Sequence, residues 1–292
     1  MRERTRGALV LVPVTVLAIA AGGVGIGILV LVLGAFAARE AERLLRAAGR
    51  PVIRHGVVAG ALVLVAGAAI PAILGSHLLG RPAEALDLAA RIRAVDSVIL
   101  VGVVALGLAG AAFSRRDPAA GFATWSATLF GAVYVGLLGA VALLTTLWTD
   151  PVSFERVILP ERRWIFVLLA GVWGFDTGAY LVGRAIGRHP FLPWISPRKT
   201  LEGVIGGLVV ATAAVALVLA ATSANVLEAL VLGPLLGVAA QAGDLAESLL
   251  KRAAAAKDSG TLLPGHGGVL DRVDSVLFAG PVLALWVALV HG

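Results

Sequence analysis

The chain has 292 residues, of which 59% are hydrophobic and only 14% charged, a balance that excludes an ordinary soluble domain and belongs to membrane proteins. It contains no cysteine, which excludes disulfides and thiol catalysis. Its net charge of +6 is carried by residues in short segments between apolar runs. That distribution argues for membrane topology and contact with anionic lipids, and against nucleic acid as a partner.

Apolar segments of about 20 residues, enough to cross a bilayer, follow one another along the chain. The stretch from Ala8 to Ala38 is too long for one helix and carries Gly22 and Gly23 near its middle. It is expected to form two helices, at 8–22 and 24–46, joined by a tight turn. The basic start and Ala18-Ile19-Ala20-Ala21 also fit a cleaved signal peptide; an uncleaved anchor is the expectation here. Further spans are expected at 56–79, 95–113, 122–148, 164–183, 203–222, 226–250 and 274–291. The fold class is therefore an all-α polytopic membrane protein of nine transmembrane helices. The chain divides into N-terminal helices 1–94, middle helices 95–163 and a catalytic region 164–292.

Placing the N-terminus in the cytoplasm puts eighteen of the 24 Lys and Arg on the inner side. Only Arg81, Arg91, Arg93, Arg156, Arg162 and Arg163 then lie outside, which obeys the positive-inside rule. The first 160 residues otherwise carry little chemistry. Glu40 and Glu42 read as a solvated face at the inner end of the second helix. His55 and His77 read as polar caps, and Tyr134 as a packed aromatic.

Two stretches break the apolar pattern. In Trp173–Gly207, Asp176 sits about 12 Å from the inner end of its helix at 1.5 Å per residue. A lone carboxylate at mid-membrane costs on the order of 2.5–3.5 kcal/mol on insertion scales. The loop that follows holds Ser196, Pro197, Arg198, Lys199 and Thr200, then Glu202 and Gly203. In Gln241–Ser275, Asp244, Ser248 and Lys251 recur at steps of four and three, which places them on one helix face. Arg252 follows, then a polar break at Lys257-Asp258-Ser259-Gly260. Next comes Pro264-Gly265-His266-Gly267-Gly268, whose glycines let the backbone turn sharply and bring its N–H groups near an anion. Asp271, Arg272 and Asp274 stand where the last apolar run begins. Asp176 and Asp244 lie on helices running toward the same surface. They are expected to share a cytoplasmic pocket with the loop carrying Asp271 and Asp274, where acids would repel unless cations bind. Carboxylates grouped with lysines, arginines and a Gly-rich turn suit a Mg²⁺-bound polyphosphate.

The run from Ser248 through Lys251-Arg252, Lys257-Asp258, Gly260, Pro264-Gly265-His266-Gly267-Gly268 and Asp271-Arg272 to Asp274 resembles the signature of the phosphatidate cytidylyltransferases, or CDP-diacylglycerol synthases. Asp176-Thr177-Gly178-Ala179-Tyr180 and Ser196-Pro197-Arg198-Lys199-Thr200-Leu201-Glu202-Gly203 are similar to two further elements of that family. Two positions depart from its pattern: Ala255-Ala256 replace a common glycine, and Leu201 a common aromatic. The resemblance covers about the last 120 residues.

It implies that CTP and phosphatidic acid react to give CDP-diacylglycerol and pyrophosphate. It further implies Mg²⁺ held by Asp244, Asp271 and Asp274, with room for a second, monovalent ion. Asp176 contributes to the acidic pocket. Lys257, Asp258 and Arg272 join the catalytic set. Lys251, Arg252, His266 and the glycines Gly265, Gly267 and Gly268 meet the triphosphate, with Ser248 also in contact with substrate. Ser196 and Lys199 meet the lipid phosphate. The expected setting is the inner membrane of a bacterium, with the active site facing the cytoplasm, membrane lipids around it and a homodimer left open. Another polyphosphate-using lipid enzyme or an ion-coupled transporter is the alternative. The chain lacks both the Asp-Gly-x2-Ala-Arg run of CDP-alcohol phosphotransferases and the duplicated halves of many transporters.

Overall fold

A backbone in lipid must satisfy its own N–H and C=O groups, so long apolar segments become helices. The computed structural model describes residues 13–75, 99–145, 163–262 and 267–291, and among these seven helices are long and apolar enough to cross a membrane. In chain order the helices are α1 (13–20), α2 (Gly22–Ala47), α3 (Gly56–Gly75), α4 (Ile99–Phe113), α5 (Pro118–Gly136), α6 (Gly139–Leu143), α7 (Arg163–Ile186), α8 (Leu201–Ala221), α9 (Ala229–Ala253) and α10 (Leu270–Val290). They fall into two compact units. Met1–Thr146 with Leu250–Val273 form the first, and Leu147–Leu249 with Asp274–Gly292 the second.

In the first unit the expected break in the long N-terminal apolar stretch is present. Gly22 has φ +67°, in the left-handed region that glycine adopts without penalty. The chain doubles back there: a Cβ on Gly25 would stand 2.9 Å from Cα of Ala18, seven residues earlier in the chain. Helix α3 runs beside α2 and packs against α5 and α6. Small residues allow this, since Ala37, Ala61, Ala69 and Ala132 are all fully buried. Tight contact of this kind substitutes for the hydrophobic drive that lipid removes. Asp117 caps α5 by accepting from the N–H groups of Ala119 (3.0 Å) and Ala120 (3.3 Å), and Pro118 takes the first helical position. Tyr134 is buried and stacks on Phe130 at 5.7 Å, as a packed aromatic. His55 is the residue before α3, with its carbonyl accepting the N–H of Ala59. His77 lies outside the described residues.

In the second unit α7 and α8 meet backbone to backbone. A Cβ on Gly178 would stand 2.9 Å from the carbonyl of Gly206, and one on Gly207 would stand 2.9 Å from that of Phe175. Helix α9 joins this pair with Leu232 and Leu236 fully buried. Large apolar side chains such as Trp173, Leu181, Val209 and Leu217 remain exposed, as a lipid-facing surface requires.

Several boundaries differ from expectation. Helix α10 begins at Leu270, so Asp271 and Asp274 occupy its first turns and not the loop before it. Glu202 and Gly203 lie in the first turn of α8, where Thr200 is the N-cap and its hydroxyl accepts from the N–H of Gly203 at 3.2 Å. Helix α7 runs to Ile186, so Asp176 is ten residues from its end, about 15 Å at 1.5 Å per residue.

Candidate active site

Two clusters contain the sequence-predicted residues, one in each unit. The second unit holds Asp176, Ser196, Lys199, Asp244, Ser248 and Asp274. Lys199 reaches its place through the loop between α7 and α8, which is folded tightly. Phe191 donates its N–H to the carbonyl of Lys199 at 2.8 Å, and Leu201 donates to that of His189 at 2.9 Å. Glu202 clamps the loop from the helix side. Its carboxylate accepts from the N–H groups of Arg188 (3.1 Å) and His189 (3.2 Å), and its Oε1 lies 2.5 Å from Nδ1 of His189. The N–H of Ser196 is held by the carbonyl of Leu192.

So positioned, the Lys199 ammonium donates to Oδ2 of Asp244. Oδ1 of Asp244 lies 3.4 Å from the Ser248 hydroxyl, one turn further along α9. Asp176 on α7 is near enough for the charges of Asp244 and Lys199 to act on it. Asp274 arrives from α10 because residue 243 is a glycine. A Cβ there would stand 3.0 Å from the carbonyl carbon of Asp274 and 3.1 Å from Cα of Ser275. Gly243 thus brings the backbone of Asp274 against the turn that carries Asp244.

The first unit holds Lys251, Arg252, Lys257, Asp258, Gly267, Gly268, Asp271 and Arg272. Asp271 is its organiser. Oδ1 accepts from the Lys251 ammonium at 2.7 Å. Oδ2 lies within hydrogen-bond reach of three donors: the N–H of Gly268 (2.8 Å) and the N–H and hydroxyl of Ser259 (both 2.9 Å). A carboxylate in a helix's first turn that reaches back to a preceding N–H is the logic of a capping box. Gly267 has φ +80°, and a Cβ on it would stand 2.7 Å from Oδ2 of Asp271, so the position needs glycine twice over. Lys257 and Asp258 are exposed, as is Arg252 at the end of α9. Gly265 and His266 lie outside the described residues.

The sequence reading missed Glu40 and Glu42. Neither lies on a solvated face: Glu40 is 1% exposed and Glu42 is 6% exposed. Oε2 of Glu40 accepts the Ser259 hydroxyl at 3.0 Å and the N–H of Leu270 at 2.8 Å, which satisfies an orphan donor at the start of α10. Its carboxylate also fills the space beside two signature glycines. A Cβ on Gly260 would stand 2.8 Å from the carboxyl carbon of Glu40, and one on Gly268 would stand 2.7 Å from it. Glu42 accepts from the N–H of His55 at 3.0 Å and pairs with Arg46 at 2.6 Å.

The donor set can be matched against the ion the sequence implies. Asp244, Asp274 and Ser248 offer hard oxygen donors in adjoining turns, which fits Mg²⁺. Asp271 fits it less well, because its side chain is 8% exposed and its Oδ2 already faces three donors of its own loop. Asp244, in contrast, is 32% exposed and among the described residues meets only Lys199 and the Ser248 hydroxyl. Among the described residues no three Asp, Glu or His side chains form a ready cage. Mg²⁺ is usually held by one or two carboxylates together with substrate phosphates, so a site of this composition suits it.

The phosphatidate cytidylyltransferase of Bacillus subtilis is 44% identical over 128 residues, 43% of this chain and 48% of that protein. Those of Staphylococcus haemolyticus and Brucella suis are 47% and 42% identical over 114 and 160 residues, covering 38% and 54% of this chain and 44% and 56% of theirs. The chain spans about half the length of the curated relatives it matches. The family model described as cytidylyltransferase, in contrast, matches residues 2–290. On that match the chain belongs to the cytidylyltransferase family.

Proposed function

We propose that the protein transfers the cytidylyl group of CTP to phosphatidic acid, giving CDP-diacylglycerol and pyrophosphate. The observation that carries this reading is the Lys199–Asp244 pair. A lysine delivered by a clamped loop meets a carboxylate on α9, with Asp176 and Asp274 at hand. Such a pair opens readily for a polyanion with its counter-cation: phosphate oxygens take the ammonium and the cation takes the carboxylate.

The phosphate of phosphatidic acid is itself an anionic oxygen nucleophile, so no side chain has to remove a proton first. The bond formed joins that oxygen to the α-phosphorus of CTP. The bond broken is the one from the α-phosphorus to the bridging oxygen that leaves with pyrophosphate. The chain's contribution is positioning and charge. Lys199, with Ser196, holds the lipid phosphate. Lys251, Arg252, Lys257 and Arg272, with the N–H groups of the Gly265–Gly268 turn and His266, receive the triphosphate. Asp271 orients Lys251 for that task, and Asp258 stays in the set beside Lys257. Asp244 and Asp274 are the residues that would hold Mg²⁺. When bound, the ion offsets repulsion between the two anions and stabilises the leaving pyrophosphate. The loops are proposed to face the cytoplasm of a bacterial cell, a placement supported by the arginines at these helix ends.

The test is incorporation of labelled CTP into chloroform-soluble lipid by the full chain, purified in detergent and supplied with phosphatidic acid. Label should appear in CDP-diacylglycerol, and excess EDTA should abolish incorporation until Mg²⁺ is restored. Absence of lipid-soluble label from folded protein with Mg²⁺ present would sink the reaction. Full activity in excess EDTA would remove the metal from it.

A further inference from the structure

The first unit contains a cavity that the reaction above does not use. It is a broad, open depression with a volume of about 620 Å³, and forms where the α2–α3 connection meets the end of α4 and the start of α5. Arg46, Arg50, Arg54 and Arg115 line it together with Ser114, and no carboxylate does. Arg46 is neutralised by Glu42. Among the described residues Arg50, Arg54 and Arg115 have no acidic partner, and all three are exposed. Like charges gathered around one cavity repel until an anion enters. A guanidinium fork matches two oxygens of a phosphate at once, and a phosphate has enough oxygens to engage more than one fork.

The surroundings indicate where the phosphate comes from. Phe113, next in the chain to Ser114, is 80% exposed, and Phe122 on α5 is 66% exposed. These rings have no polar tip, so they present apolar surface beside the arginines against which acyl chains can lie. A ligand with its phosphate among the arginines could therefore lay its tails along the apolar faces of α4 and α5, which a soluble anion cannot do. We propose that this cavity holds the phosphate of an anionic membrane phospholipid that is not a substrate. None of its lining residues belongs to the cytidylyltransferase signature, so occupancy does not depend on turnover or on the reading of the active site.

The experiment titrates the full chain in detergent with dioleoylphosphatidylglycerol, dioleoylphosphatidylcholine or inorganic phosphate, read by native mass spectrometry and thermal melting. Phosphatidylglycerol offers a phosphodiester and is not the nucleophile of the proposed reaction. It should bind and raise the melting temperature, while phosphatidylcholine and inorganic phosphate at the same concentration should not. Arg50→Gln with Arg115→Gln should weaken phosphatidylglycerol binding at least about tenfold, the range expected on losing charge-assisted hydrogen bonds. Arg39→Gln with Arg116→Gln removes the same charge outside the cavity and should leave binding intact. Equal binding by the wild type and the Arg50/Arg115 variant overturns the proposal, as does equal loss in both double variants. Stabilisation by inorganic phosphate that matches phosphatidylglycerol overturns the lipid as the source.

Discussion

Asp244→Asn is expected to leave the protein folded and inserted while cutting turnover at least about a hundredfold, comparable to losing one major electrostatic stabiliser. The substitution keeps the size of the side chain and one acceptor oxygen. It removes the charge that balances the Lys199 ammonium and that would hold a metal ion. An amide nitrogen turned toward Lys199 sets donor against donor, so the side chain presents its oxygen and the loop stays in place. If Asp244 were only a polar residue packed between helices, an uncharged amide would insert at least as easily and the protein would stay active. Turnover of the purified variant, measured beside its melting temperature, separates the two. A well-folded variant with near-normal turnover would remove α9 from the chemistry.

Glu40→Ala should be nearly as damaging, for a different reason. Glu40 touches no substrate in the proposed reaction; it is a positioning residue that fastens the Ser259–Leu270 loop to α2. Removing it leaves the Leu270 N–H without its acceptor and opens a void beside Gly260 and Gly268. A loop loosened by about 1 Å can lose on the order of a hundredfold in rate. The loss should appear in kcat/KM for CTP, with the KM for phosphatidic acid little changed. Glu40→Gln is the discriminating companion. It retains an oxygen to accept from Ser259 and Leu270, so it should recover to within about tenfold of wild type if hydrogen bonding is what matters. Equal kcat/KM for CTP in Glu40→Ala and wild type would show that the loop holds itself.

Much of this was legible in the sequence because the relevant signals are local. The run of apolar segments became helices, and the glycine pair in the first of them became a turn, since both depend on neighbours in the chain. The Lys-Asp, Gly-rich and Asp-x-x-Asp elements were recognisable as a group for the same reason. Glu40 was not. Its partner Ser259 lies 219 positions away, and two glutamates at the end of a helix look alike whether water or a distant loop receives them. The start of α10 was misplaced on similar grounds. Asp271 and Asp274 read as loop residues by polarity, yet Glu40 and Gly268 complete the helix terminus that holds them. The role of Glu202 as a clamp on His189 likewise depends on a loop folding back across 13 residues.

The glycine seam between α7 and α8 has a consequence for any search for function by mutational tolerance. Gly178, Gly203 and Gly207 each face backbone atoms of the opposite helix at distances a side chain cannot share, and Gly243 does the same between α9 and α10. A saturation library selected for growth should therefore report these positions as intolerant as Asp244, although none of them bears a functional group. Ranked by intolerance alone, they would be mistaken for catalytic residues. Alanine would be the informative substitution there, because its single methyl is the smallest wedge. Its defect should be loss of the folded protein from the membrane, in contrast to the accumulation of inserted, inactive protein expected for Asp244→Asn.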